Sequence, residues 1–176
     1  ALTSGLRRGE LFALSWSNVD LENGTLKVAG ALLADGTIVP PKTLKSRRHV
    51  ALTQLAIEAL QRRRIIQLEE RLAASTEWDN EFDLVFANMV GNPLNPSNFS
   101  ARDFPALLRR SGVKRIRFHD LRHSTASLLL SLDVHPKIVQ ELLGHSTIGV
   151  TMDIYSHSMP SLQEEAVTRL DTLLAP

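Results

Sequence analysis

The fold of this chain follows largely from residues 118–157, FHDLRHSTASLLLSLDVHPKIVQELLGHSTIGVTMDIYSH. Apolar residues recur at helical spacing over 120–132 and again over 136–143. The second run starts with a proline, which suits the first turn of a helix, and Gly144 after it suits a C-terminal cap. Residues 147–156 continue with a weaker helical pattern. This stretch therefore predicts three consecutive helices.

Short extended runs occupy the first third of the chain. Strand-like residues lie at 25–29, 37–39 and 49–52. The turn dipeptides Asn-Gly at 23–24 and Asp-Gly at 35–36 interrupt this region. The runs predict a small antiparallel sheet.

Helical spacing predicts the remaining elements. It is present over residues 2–17, over a long run at 53–74, over 97–110 and in a last amphipathic segment at 160–176. No internal repeat or low-complexity linker divides the chain. We therefore expect residues 1–176 to form one domain, mainly α with a small antiparallel β-sheet.

The composition of the chain excludes several classes of protein. Without cysteine, disulfides and thiolate metal sites are impossible, which is compatible with a cytoplasmic location. No apolar run approaches the roughly 18 residues that cross a bilayer, so we expect no membrane partner. The sequence starts without Met in a strongly patterned segment, which predicts a fragment of a longer protein.

The distribution of charge is more informative than the net charge of +1. Residues 42–48 contain four basic side chains and no acidic one, and residues 102–122 contain seven basic side chains against two acidic ones. Two interpretations stay open at this point: solvated faces of opposite sign, or a basic surface for nucleic acid.

Tyr155 is the only tyrosine, and it lies in a polar context. A phenol has a pKa of about 10, so it needs neighbouring groups to act as a nucleophile at neutral pH. A single tyrosine is more often a core or surface aromatic residue, and the residue alone does not decide between the two.

His119 and Arg122 are three residues apart and share one face if the helix starts this early. An imidazole donor beside a guanidinium fork suits an anion. A polar helix start is the plain alternative. A zinc site is another, because His119 and His123 imitate the His-Glu-x-x-His helix, with His145 or His157 as a third ligand.

Taken in order, the motifs resemble the tyrosine recombinase (phage integrase) family. Residues 4–11, SGLRRGEL, resemble the segment with the family's first catalytic arginine and its acidic partner three positions later. Residues 41–43, PKT, resemble the β-hairpin with the catalytic lysine. Residues 119–123, HDLRH, match the His-x-x-Arg motif, and residues 142–145, LLGH, match the segment of the second histidine. Tyr155 follows ten residues later, where the family has its nucleophile.

The resemblance implies a role for each matched residue. The implied catalytic set is Arg7, Lys42, His119, Arg122, His145 and Tyr155, with Glu10 in support. The candidates for DNA contact are Lys45, Arg47, Arg48 and Arg117. The chemistry implies neither a cofactor nor a metal.

The implied fold is the catalytic domain of this family, truncated at its N terminus. The implied function is site-specific recombination or integration of double-stranded DNA for a phage or mobile element, through a 3′-phosphotyrosine at Tyr155. Homo-oligomers on DNA are also implied, with the helix at 160–176 exchanged between protomers; docking of this helix on its own core is the plain alternative. The alternatives are a type IB topoisomerase or resolvase, a catalytically silent DNA-binding module, and a zinc hydrolase based on His119 and His123.

Overall fold

The computed structural model describes residues 1–41, 47–158 and 162–174, and only the backbone at 155–158, 162–166 and 169. Helices make up most of the described chain. They are α1 (Arg8–Phe12), α2 (Gln54–Ala74), α3 (Pro96–Asn98), α4 (Phe104–Arg110), α5 (Phe118–Ser131), α6 (Pro136–Leu143), α7 (Ile148–Ser158) and α8 (Leu162–Leu174). A π-helical segment, Phe99–Asp103, joins α3 to α4, and single 3₁₀ turns lie at Trp16–Asn18 and Ser75–Glu77.

Two small antiparallel sheets precede α2. The strands are β1 (Val19–Asp20), β2 (Thr25–Val28), β3 (Ala31–Leu32), β4 (Ile38–Val39) and β5 (Arg48–Ala51). β2 lies between β1 and β5, while β3 pairs with β4. In β5 the burial alternates, so Arg48 and Val50 point to the buried face. The predicted antiparallel pairing of the first and third runs is thus confirmed, with the third run beginning one residue earlier. The second run, β4, was expected in the same sheet but pairs with β3 in a separate one.

Two hydrophobic clusters hold the elements together. The first lies under the sheet and α2 and contains Leu6, Leu14, Leu26, Val28, Val50, Leu60 and Val85. The second joins α5 to α6 and contains Ala126, Leu130, Val139 and Leu143. The start of the chain lies close to the end of α6, because Arg7 donates to the Gly144 carbonyl and Gly5 lies against the Leu143 side chain.

The predicted helix over residues 2–17 is wrong, because α1 has only five residues. Gly5 has a φ of +59°, a left-handed conformation that interrupts helical spacing. A Cβ at this position would also collide with the side chain of Leu143. Beyond α1, the backbone of Leu14 and Trp16 pairs with the chain at Asp83 and Val85 instead of continuing the helix.

The long helix is confirmed at α2, capped by the Thr53 hydroxyl, but its inward face differs from the apolar spacing. Apolar residues that recur at helical spacing define one side of this helix and include Leu68 and Leu72, yet these two side chains are 53% and 82% exposed. Gln67 is buried instead, because its amide bonds to the Trp16 indole and to the Leu84 carbonyl.

The elements of residues 118–157 match the sequence closely. α6 has the predicted bounds, and Gly144 has a φ of +68° at its C-terminal cap. In the described ranges, no helix is both long and apolar enough to cross a membrane.

Candidate active site

Glu10 is a buried carboxylate that receives four hydrogen bonds. Its Oε1 accepts from Arg7 Nη1 at 2.8 Å and from Arg48 Nη1 at 3.1 Å. Its Oε2 accepts from the Arg7 backbone at 2.9 Å and from Arg48 Nη2 at 2.9 Å. Burial raises the pKa of Glu10, but the hydrogen bonds and charge of Arg48, together with Arg7, bring this pKa below its ordinary value. Glu10 is therefore ionised and joins two arginines.

Arg7 connects α1 to the turn that follows α6. Its Nη1 pairs with Glu10, and its Nη2 donates to the Gly144 carbonyl at 2.8 Å. The Arg7 side chain keeps 41% of its surface exposed, so a ligand can still reach the guanidinium.

Arg122 is buried at 3% exposure on α5. Its Nη1 donates to the Gly5 carbonyl at 2.6 Å. Its Nη2 is buried and makes no hydrogen bond to any described residue. Burial, then the charge of Arg7, lowers the pKa of Arg122 to about 9, so the group stays charged at neutral pH. A buried cationic donor without a partner is costly, which makes this a suitable place for an anion.

His145 follows Gly144 and is held by α7. Its Nδ1 lies 2.9 Å from the hydroxyl of Thr151, which is fully buried. Burial, then the positive charges of Arg122 and Arg7, lowers the pKa of His145 to about 4. The imidazole is therefore neutral at physiological pH, and Tyr155 lies one turn after Thr151 on the same helix.

His119 and His123 lie in the first two turns of α5, with ring centroids 4.8 Å apart and the rings edge to face. Partial burial, then the charges of His123, Arg122 and Arg7, lowers the pKa of His119. His119 also lines a cleft of about 690 Å³ whose walls include Arg8, Arg115 and Arg117. The cluster of cations thus continues into an open basic cleft.

The structure brings four of the sequence-predicted residues into one network. Arg7 and Glu10 form an ion pair. Arg122 donates to the Gly5 carbonyl, two residues before Arg7, and His145 follows Gly144, whose carbonyl accepts from Arg7. His119 is coupled to this network by charge. Tyr155 is placed by its backbone on α7, and its side chain lies outside the described atoms. Lys42 and Lys45 lie outside the described residues.

Two of the candidates for DNA contact are exposed, and one is not. Arg47 is exposed, and Arg117 is exposed and paired with Asp120 at 2.9 Å. The interpretation of Arg48 as a DNA contact is wrong for this structure. Its side chain is only 7% exposed, and its guanidinium is committed to Glu10 and to the Leu142 carbonyl.

Sequence reasoning missed the roles of Arg48 and Thr151. Alternation along β5 was the available clue for Arg48, because a residue two positions before the apolar Val50 shares its face. For Thr151 the clue was its position four residues before Tyr155, on the same helix face. A metal site finds no support in the described residues, which contain no suitable group of three His, Cys, Asp or Glu.

The comparisons with known proteins agree with the motif pattern. A family model described as the phage integrase family matches residues 1–161. A tyrosine recombinase XerC-like protein of Caldanaerobacter subterraneus subsp. tengcongensis is 35% identical over 98% of this chain and 48% of its own length. The prophage integrase IntR of Escherichia coli K12 is 30% identical over 99% of this chain and 46% of its own length. The chain therefore spans about half the length of these curated relatives.

Solved structures share the fold. The Tn1549 transposon integrase in complex with circular intermediate DNA matches with a TM-score of 0.77 and 23% identity, over 96% of this chain and 57% of that one. The XerA recombinase matches with a TM-score of 0.69 and 26% identity, over 99% of this chain and 54% of that one. These matches confirm the predicted fold class, mainly α with a small antiparallel sheet.

Proposed function

This chain belongs to the phage integrase family, and we propose that it cuts and rejoins double-stranded DNA at specific sites through a 3′-phosphotyrosine at Tyr155. The relatives named above include recombinases and integrases of prophages and transposons. Their names favour a tyrosine-type site-specific recombinase over a general DNA-binding protein.

One observation carries the proposal: a buried guanidinium nitrogen of Arg122 has no partner among the described residues, within a cluster of cations. A phosphodiester is an anion with two non-bridging oxygens, and an arginine fork suits such a group. Arg7 and His145 adjoin the same cluster, so the scissile phosphate would receive donors from three elements. Preorganised donors of this kind typically contribute about 10²–10³-fold each to the rate.

In the proposed cleavage step, the Tyr155 oxygen forms a bond to phosphorus while the bond from phosphorus to the 5′-oxygen breaks. The phenolic proton leaves with the help of His119, and Lys42 donates a proton to the 5′-oxygen, which departs as a hydroxyl. The products are a 3′-phosphotyrosine and a free 5′-hydroxyl strand. A 5′-hydroxyl attacks in the reverse step and restores the DNA backbone, so the ester conserves the energy and no ATP is needed.

His145 would act as a neutral donor. The Thr151 hydroxyl can donate to Nδ1, which leaves the proton on Nε2 for a non-bridging oxygen. Glu10 would keep Arg7 in place through their two-point contact. The reaction so described uses no metal and no cofactor.

DNA would extend from the cluster into the basic cleft next to His119. Arg8, Arg115 and Arg117 line this cleft and suit the phosphate backbone. Arg47 is exposed just before β5, and Lys45 is its predicted neighbour in the same contact. Double-stranded DNA as the substrate is consistent with the cytoplasmic location expected from the sequence.

The C-terminal helix would join protomers on DNA. On α8, four large apolar side chains are more than half exposed: Val167, Leu170, Leu173 and Leu174. An isolated helix of this length is marginal in water, so it needs a surface to dock on. We propose that this surface belongs to a neighbouring protomer of a homo-oligomer.

Covalent capture tests the proposed function and does not require a defined DNA site. Purified protein is mixed with duplexes that contain a randomised segment and a nearby nick. Cleavage then releases a short strand and traps the adduct. The wild type should form an adduct that survives detergent, with the 3′-phosphate on Tyr155 by mass spectrometry. Tyr155→Phe should form none, while its affinity for the same DNA stays near wild type.

The outcomes separate the alternatives. An adduct on a serine, or one that persists in Tyr155→Phe, would contradict the mechanism. A type IB topoisomerase would relax supercoiled DNA without exchanging strands between captured sites. A silent module would bind DNA without any adduct, and a zinc hydrolase would contain stoichiometric zinc.

A further inference from the structure

We propose that Arg48 is a positioning residue, which holds Glu10 and the turn of Gly144 and His145 in the geometry needed to bind the scissile phosphate. This inference rests on the proposed function and adds a residue to it. The basic run at 42–48 predicts Arg48 on the DNA surface, but its buried contacts assign it a different task.

The guanidinium of Arg48 connects three elements. Arg48 begins β5, and its Nη1 and Nη2 bind both oxygens of Glu10 on α1, at 3.1 Å and 2.9 Å. Its Nε donates to the Leu142 carbonyl at the end of α6, at 2.8 Å. A single planar fork thus fixes the separation between α1 and the end of α6.

Arg7 makes a second bridge from Glu10 to the end of α6, and we call the two arginines with Glu10 the clamp. It binds Glu10 through Nη1 and the Gly144 carbonyl through Nη2, both at 2.8 Å. The two arginines therefore share one carboxylate and hold two carbonyls, those of Leu142 and Gly144. These carbonyls lie just before His145, so the clamp sets where the imidazole is presented.

The turn itself is fitted to Arg48. Gly144 has a left-handed φ of +68°, and a Cβ there would lie 2.8 Å from Arg48 Nη1. The backbone can only approach the guanidinium this closely without a side chain. A shift of Arg48 would therefore be transmitted to the turn and to His145.

Arg63 offers a matched control, because it makes three contacts of the same kind with Glu70 and the Val85 carbonyl, neither of which belongs to the cation cluster. Its Nη1 and Nη2 bind both oxygens of Glu70 at 2.8 Å and 2.7 Å, and its Nε donates to the Val85 carbonyl at 2.9 Å. Its side chain is also mostly buried, at 17% exposure. A merely structural role for Arg48 predicts similar consequences at the two positions.

The first experiment compares Arg48→Met and Arg48→Lys with Arg63→Met and Arg63→Lys on a captured nicked duplex. Folding of each variant is checked by urea unfolding, and rates are measured where each is folded. Arg48→Met should slow single-turnover adduct formation about 100-fold, the usual effect of an ångström-scale misplacement of catalytic groups. DNA affinity should stay within about threefold, since the Arg48 side chain is only 7% exposed and its guanidinium is bound to Glu10 and the Leu142 carbonyl. Arg48→Lys keeps the charge and should recover about tenfold of the rate.

The second experiment measures His145 directly, by NMR titration of its ring with and without inorganic sulfate. The charged or titratable groups that act on this ring are Arg122, Arg7, His123 and Arg48. Arg48→Met removes one of these charges and loosens the turn, so the pKa of His145 should rise and sulfate should bind at least tenfold more weakly. Arg63→Met should change neither quantity.

The two experiments distinguish a failure of the positioning role of Arg48 from a failure of the proposed function. If wild-type protein forms an adduct and Arg48→Met matches Arg63→Met in rate, the positioning role is wrong and the proposed function stands. If wild-type protein forms no adduct, the proposed function fails, and the titration still decides on Arg48. An unchanged pKa and unchanged sulfate affinity in Arg48→Met would then overturn the positioning role.

Discussion

An anion in the cation cluster should raise the pKa of His145. In the free protein this pKa is about 4, well below the ordinary value near 6.5, because burial and the charges of Arg122 and Arg7 oppose protonation. The difference corresponds to roughly 3 kcal/mol at about 1.4 kcal/mol per unit, and partial exposure of the ring reduces this figure.

A bound anion can offset most of that energy. One negative charge about 4 Å from the ring contributes roughly 4 kcal/mol at an effective dielectric constant of about 20. After screening, we expect sulfate to raise the pKa of His145 by at least about one unit. By linkage, sulfate should bind about tenfold more tightly below the free pKa than above the bound one, so its affinity increases as the pH falls through this window.

The assay is an NMR titration of the histidine rings between pH 3.5 and 8, roughly the range that spans both pKa values. His145→Asn identifies the resonance among the six histidines. Sodium chloride at matched ionic strength is the control, because screening alone weakens the repulsion from the arginines. A free pKa near 6.5, or equal shifts in sulfate and chloride, would refute the argument that the cluster is built around an anion.

Three further predictions concern other parts of the chain. Gly5→Ala should destabilise the protein by roughly 1–3 kcal/mol or more in urea unfolding, because of its positive φ and the collision with Leu143. Gly36→Ala, with a φ of +90° but open space, should cost less, and equal losses would remove Leu143 from the explanation. Lys42→Ala should regain most of its cleavage rate when sulfur replaces the leaving 5′-oxygen, because a sulfur leaving group needs little protonation. Arg122→Ala should not be rescued in this way, and equal defects in the two variants would reject Lys42 as the general acid. Deleting residues 161–176 should leave single-site DNA binding intact and impair assembly on paired sites, and recombination at the wild-type rate would show that α8 is no assembly element.

Local sequence signals explain where the fold was predictable. α6 begins at Pro136 and ends before Gly144, so its start and stop depend on the conformational preferences of two residues. α2 likewise starts after the capping hydroxyl of Thr53. In contrast, residues 2–17 have helical spacing but only five of them form α1, because the left-handed Gly5 and the pairing with residues 83–85 are tertiary effects.

The candidate site was predictable as a set of motifs, but its internal contacts were not. Within a basic run, the identity of a residue as arginine does not indicate whether its side chain is exposed or buried. Arg47 is exposed and Arg48 is buried, and strand alternation separates them only once β5 is known. The partner of Arg48, Glu10, is 38 residues away in sequence, so no local pattern could reveal the pair.

The charges of the cluster fit the transition state better than the bound substrate. Arg7, Arg48 and Arg122 carry three positive charges against the single negative charge of Glu10, which leaves two positive charges near a neutral His145. A phosphodiester carries one negative charge, whereas a phosphorane formed by attack of a phenolate carries two. The cluster therefore gains more favourable electrostatic energy as the reaction advances, which is the condition for a faster chemical step rather than only tighter binding. Burial first, and then the same excess of positive charge, lowers the pKa values of Arg122 and His145, and the fold maintains this excess before DNA arrives.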